Sequence, residues 1–107
     1  MNIFHGLTED KFCIAYLSKD EKGIFPTYFC SPKASKWCAL GWIFRAKELG
    51  SIGEIERQDL IRKMSELASN MLGRDPEMDS DIGEYYVISE ANDKFGYRFV
   101  EALQGVE

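Results

Sequence analysis

Trp37 to Phe44, reading WCALGWIF, is an unbroken run of eight apolar or small residues that holds both tryptophans of the chain. Elsewhere the apolar residues are confined to one face of a pattern or interrupted by turn residues. A segment with no polar face must be surrounded on every side, so the rest of the fold has to be arranged around this run. Its flanks read as helix boundaries. Ser31 offers a side-chain oxygen to free amides, and Pro32 fits the first helical position, where its missing N–H costs nothing. Gly50 is suited to the left-handed position just past the last turn. The expectation is a central buried helix that Ser31-Pro32 opens and Gly50 closes, with Ala34 to Gly50 as its main body.

The other segments can be placed relative to that helix. Thr8 followed by Glu9 and Asp10 is a helix-start pattern, with a cap and acids in the first turn. Phe12 to Leu17 is too short a run for periodicity to decide between that helix and a buried strand. Lys19 to Gly23 is a turn sequence, and Ile24 to Phe29 is aromatic and β-branched, with Pro26 restricting it to a sheet edge. Residues 12–17 and 24–29 are therefore expected to pair as a hairpin, which needs helices to pack on. Ser51 and Glu54 have capping-box spacing. Leu60, Met64, Leu67 and Met71 then recur at helical intervals, widened by Ile61, Ala68 and Leu72, while Arg57, Lys63 and Glu66 fall outside the stripe. Gly73 and Pro76 end that helix. Asp75 to Glu84 is an acidic loop. Tyr85 to Ile88 has strand composition, yet Ile82, Tyr85, Tyr86 and Ser89 also fit one helical face. Asn92 to Gly96 reads as a turn before a short terminal helix that groups Phe99, Ala102 and Leu103.

At 107 residues the chain has room for one core, so residues 1–107 are expected to form a single globular domain. Seven Phe, five Tyr and two Trp can fill that core without metal or disulfides. A net charge of −5 and a pI near 4.9 argue against unspecific binding to nucleic acid or anionic membranes, both of which need a basic surface. No apolar run reaches the roughly 20 residues of a membrane span. The start, MNIFHGLTEDKF, has neither the basic nor the apolar region of a signal peptide. Three unevenly spaced cysteines do not make a disulfide framework, which points to a reducing cytoplasm.

Motifs for chemistry are sparse. His5, Cys13, Cys30 and Cys38 lack the short ligand spacing of structural zinc sites, so neither metal nor cofactor is expected. The one histidine, His5, lies near the terminus and is a poor base for a nucleophilic cysteine; Cys38, read as two turns into an apolar helix, should have a suppressed thiolate. Neither a nucleophile elbow nor a phosphate-binding glycine loop occurs. The acids of Asp75 to Glu84 lack the ligand order of a calcium loop and read as a solvated segment. Arg45 stands out because it falls on the helical face of Cys38, Gly41 and Trp42. A cation there has to pair with a carboxylate, for which Asp93 and Glu101 are candidates, or stack on a ring. Trp37 and Trp42 lie five apart and should point different ways; both can be core, or one can instead surface at the centre of an interface.

Two stretches resemble a bacterial and phage family of unknown function, DUF6197. Lys33-Ala34-Ser35-Lys36-Trp37-Cys38-Ala39-Leu40-Gly41 is similar to its "A-x-x-W-C-x-x-G-A" helix. Asn92-Asp93-Lys94-Phe95-Gly96, followed by Val100-Glu101-Ala102-Leu103, resembles its "N-D-x-x-G-R-T" turn and closing helix, and the turn Asp20 to Gly23 stands where members carry D-x-x-G. The chain departs from the pattern at Trp42 and at Tyr97-Arg98, and largely lacks the leading helix. The resemblance implies a helical reading of residues 82–92, makes Asn92 and Asp93 caps of the last helix tied to Trp37 or Arg45, suggests a phage-related setting, and implies no activity.

The expected architecture is α+β, mostly α: a small β-hairpin packed on a central buried helix with two to three further helices. The expected role is a small acidic cytoplasmic interaction module whose partner is another protein or a second copy of the chain. The alternative is a small-ligand binder or enzyme using a polar cluster of Arg45, Asn92 and Asp93, with Trp42 beside it.

Overall fold

The computed structural model describes residues 3–22, 28–74 and 83–105. Among these, four α-helices enclose the core: α1 (Ala39–Glu48), α2 (Glu54–Leu72), α3 (Glu84–Phe95) and α4 (Tyr97–Gln104). Two 3₁₀ turns, Ile3–Gly6 and Glu9–Lys11, precede a two-stranded antiparallel sheet of β1 (Ser18–Lys19) and β2 (Lys36–Trp37). The fold is thus mostly helical α+β, with the small sheet packed at the start of α1.

The central segment is shorter as a helix than its flanks suggest. Ser31-Pro32 makes a turn, in which Ala34 N–H donates to Ser31 O at 3.0 Å, and does not open a helix. The chain then runs extended as β2, and the helix begins at Ala39 with Cys38 as its N-cap. Gly50 does sit in the left-handed region, at φ 77°, just beyond the helix. α1 buries Ala39, Leu40, Gly41, Ile43 and Ala46, so the apolar run is divided between a strand, a cap and a helix.

The hairpin is also built from other residues. Ser18 pairs with Trp37 and Lys19 with Lys36, while Phe12 makes a parallel bridge to Trp37 on the same strand. Residues 14–17 are not a strand, and Tyr28 and Phe29 lie in loop and turn; positions 24–27 of the expected second strand fall outside the described residues. Pairing is decided by what covers the α1 start, which composition alone does not reveal.

α2 follows its apolar stripe, burying Ile61, Met64 and Ala68 and ending at Gly73 with φ 75°. Its start differs from the Ser51–Glu54 expectation. Gly53 is the N-cap, and its N–H donates to Glu56 Oε1 at 3.4 Å. α3 and α2 form the most extensive helix pair, with Val87, Ile88 and Ala91 fully buried between them and their neighbours. The helical reading of the 82–92 region therefore holds for the described part from Glu84 on. Asn92 to Phe95 continue α3 instead of turning, and Gly96 alone makes the break, at φ 62°. α4 closes the core with Phe99, Val100 and Leu103. Phe4 and Leu7 from the first turns complete it. No described helix is long and apolar enough to cross a membrane.

Candidate functional site

The site grows from a close approach of backbone to backbone. Cys13 N–H donates to Trp37 O at 3.1 Å, and Cys38 N–H donates to Leu17 O at 3.2 Å. Ile14, Ala15, Tyr16 and Leu17 thus arch between two contacts to the same short stretch, directly over the start of α1. Gly41 makes this possible. A Cβ there would stand 2.0 Å from Leu17 O, so no other residue lets the arch descend this far. Closing the arch in four residues forces Ala15 to φ 75°, a left-handed conformation that costs a non-glycine residue about 1 kcal/mol.

Two successive residues of α3 hold this arrangement. Asn92 is 2% exposed; its Oδ1 accepts from Ala39 N–H at 3.1 Å and its Nδ2 donates to Cys13 O at 3.4 Å. One carboxamide therefore satisfies an orphan amide of α1 and ties that helix to the base of the arch. Asp93 Oδ1 accepts from Ala15 N–H at 2.9 Å, which fixes the strained residue. Neither residue caps α4 or touches Trp37 or Arg45, as the family resemblance implied. They lie within α3, so their side chains face α1 and the arch.

Cys38 is a cap, not a mid-helix residue. Its Sγ accepts from Gly41 N–H at 3.3 Å. Burial pushes the thiol up to about 11, and the amides at the helix start offset that only in part. Burial also raises Cys13, whose Sγ lies 3.5 Å from Tyr16 O as a donor. Cys30 is raised as well, by burial and then by Glu48. These three thiols are poor nucleophiles at neutral pH. Among the described residues no three His, Cys, Asp or Glu side chains group as metal ligands would.

Ala15, Tyr16, Leu17, Cys38, Ser89, Asn92 and Asp93 line a depression of about 250 Å³ under the arch. It shares Ser89 and Asp93 with a shallow surface bounded by Tyr86, Glu90 and Lys94. Ile14, Tyr16 and Leu17 are 43%, 41% and 36% exposed, so the arch presents three apolar side chains while its backbone is anchored.

Of the four residues singled out from sequence, Asn92 and Asp93 meet in this depression, whereas Arg45 and Trp42 form a separate cluster. The Arg45 guanidinium lies 4.7 Å from the Trp37 ring centroid and 5.1 Å from that of Trp42. Its partners are rings, not Asp93 or Glu101. The two tryptophans, expected to diverge, meet edge to face at 5.5 Å because Trp37 belongs to the strand. Both indole N–H groups are satisfied, by Phe29 O at 2.8 Å and Ile3 O at 3.0 Å. No family model, curated protein or solved structure matches the chain.

The residues that reasoning from sequence missed are Tyr16, Leu17, Cys38 and Ser89. Nothing in Ile14-Ala15-Tyr16-Leu17 announces an arch, since it lacks Gly, Pro, Asn and Asp. The one available signal is Gly41, a glycine inside an apolar helix run that implies a close backbone approach. A further depression of about 430 Å³, lined by Arg57, Gln58, Ile61, Glu84, Tyr85 and Tyr86, has its cation already engaged: Arg57 forks onto Glu54 and donates to Tyr85 Oη at 3.0 Å.

Proposed function

We propose that the protein is a small acidic interaction module of the cytoplasm, which binds another protein through the arch 14–17 and the adjoining face of α3. The observation that carries this reading is the exposure of Ile14, Tyr16 and Leu17 on a backbone that is strained at Ala15 and pinned from α3. Apolar side chains held outward on an ordered segment lose little freedom when a partner covers them, which is how preorganised contacts gain affinity. Strain retained at a surface segment is a common accompaniment of binding. The cytoplasmic setting is supported by three cysteines of which none is bridged. The likeness to DUF6197 around Trp37-Cys38 and Asn92-Asp93 belongs to the same proposal and is the ground for a phage-related setting.

The alternative of a ligand site or enzyme built on Arg45, Asn92 and Asp93 has less to rest on. Arg45 is stacked away from the depression, and both ends of the Asn92 amide are engaged. The test compares the native chain with a Tyr16→Ser, Leu17→Ser double variant as baits in cross-linked cytoplasm, alongside sedimentation of each alone. A specific partner, or a dimer, should be present with the native chain and lost with the variant at unchanged helicity. Identical captures and identical sedimentation for the two would sink the proposal.

A further inference from the structure

Beneath the arch, two cysteines are brought near each other by the backbone contacts between the arch and residues 37–38. Phe12 and Trp37 form an isolated parallel bridge, and Cys13 and Cys38 are the residues that follow them in the chain. The two residues stay near each other past the bridge, since Cys13 lies close enough to push the Cys38 thiol up further, and a disulfide needs their Cα atoms to settle about 4.4–6.8 Å apart. Two further contacts hold them in place. Cys13 N–H donates to Trp37 O, and the Asn92 amide bridges Cys13 O to the N–H of Ala39, the residue after Cys38. The chain between them makes two more ties, from the Cys13 thiol to Tyr16 O and from Cys38 N–H to Leu17 O. Cys38 also lines the depression that opens under Tyr16 and Leu17, which gives a small oxidant a route to its sulfur.

We infer that Cys13 and Cys38 are a redox-modification site that closes reversibly to a disulfide beneath the arch. With hydrogen peroxide as oxidant, one thiol loses its proton and its sulfur attacks the peroxide, breaking the O–O bond. This leaves a sulfenic acid and releases water once the proton is returned. The neighbouring sulfur then attacks the sulfenic sulfur and expels its hydroxyl, which leaves as a second water with the second thiol proton. Two thiols and one peroxide give one disulfide and two waters. A thiol–disulfide exchange with a small dithiol restores the reduced pair. The bond draws on both sulfurs' present contacts. Cys38 Sγ gives up Gly41 N–H, its capping role at α1, and Cys13 Sγ gives up Tyr16 O. Oxidation therefore acts on the start of α1 and on the arch together. Burial of both thiols makes the first step slow, so sustained exposure closes the bond where a brief pulse does not.

The experiment uses the full chain carrying Cys30→Ser, treated with hydrogen peroxide and analysed by intact mass and by peptide mapping without reduction. The expected result is a monomer lighter by two hydrogens, with the peptides of Cys13 and Cys38 joined and separated again by dithiothreitol. The amide resonances of Gly41 and Tyr16 should shift with the same time course. Addition of oxygens at either cysteine without a joined peptide would overturn the inference, as would covalent dimers or an unchanged mass after prolonged exposure. This outcome is independent of whether the arch binds a partner, because no partner enters the measurement.

Discussion

Gly41 is the residue on which the local geometry depends most directly. Its α-hydrogen faces Leu17 O where any side chain would collide, and the obstacle is backbone on both sides, so no rotamer change relieves it. Gly41→Ala must either lift the arch or displace the first turn of α1, breaking the Cys38–Leu17 and Asn92–Ala39 contacts. The expected cost is about 3 kcal/mol, at the upper end for a single added methyl, measured by urea unfolding of both proteins. An unchanged midpoint would mean that the approach is not as close as described. Arg45 shows the opposite behaviour. It is a half-buried cation that lies over the faces of two indole rings.

At the level of elements, α3 reinforces the meeting of the arch with the start of α1 that backbone contacts begin. Through Asn92 and Asp93 it contacts the N-terminus of α1 and the arch within one turn of helix. Asn92→Leu keeps the branched shape but leaves Ala39 N–H and Cys13 O buried without partners, so a loss of about 2–4 kcal/mol is expected from thermal unfolding. Asp93→Asn retains an acceptor for Ala15 N–H and should cost under about 1 kcal/mol. Equal losses for the two would contradict the division of labour between them. The stripe of α2 was legible beforehand because it is periodic over several turns, whereas residues 85–88 fit a strand as well as a helical face and Asn92 to Phe95, the end of α3, read as a turn. The start of α1 was not legible, since Ser31-Pro32 and an eight-residue apolar run are equally compatible with a turn, a strand and a later cap. The pairing of β1 with β2 and the arch between them depend on contacts distant in sequence, and residues 14–17 carry no turn chemistry of their own. Asn92 and Asp93 were visible as unusual polar residues, but their partners were not, because a helix interior and a turn predict opposite directions for the same side chains.

For the molecule as a whole, the buried thiols set how stability responds to alkali. Cys38 has an ordinary value of 9.0 and is pushed up to about 11 by burial in the folded chain, and Cys13 moves the same way. Between these values the unfolded chain releases the thiol proton and the native chain keeps it. The unfolded state then binds fewer protons, so stability must fall as pH rises. The contribution is fully present below pH 9 and disappears as pH climbs from 9 toward 11. Each tenfold step in proton concentration weighs about 1.4 kcal/mol, so Cys38 alone accounts for a decline of about 2–3 kcal/mol across that window. The exposed carboxylates act in the reverse sense. Glu54 is held down at about 2 by its bonds to Arg57, so its contribution is lost in acid as pH falls toward 2, and screening at the surface keeps it small. Cys13, Cys30 and Tyr28 are shifted upward as well, so the decisive quantity is a difference between two proteins. Cys38→Ser preserves a cap acceptor for Gly41 N–H and removes the titrating group. Urea midpoints from pH 7 to 11 should therefore fall more steeply for the native chain than for Cys38→Ser, with the curves parting above pH 9. Parallel curves would place Cys38 in contact with water and remove the physical basis for reading its sulfur as a buried cap.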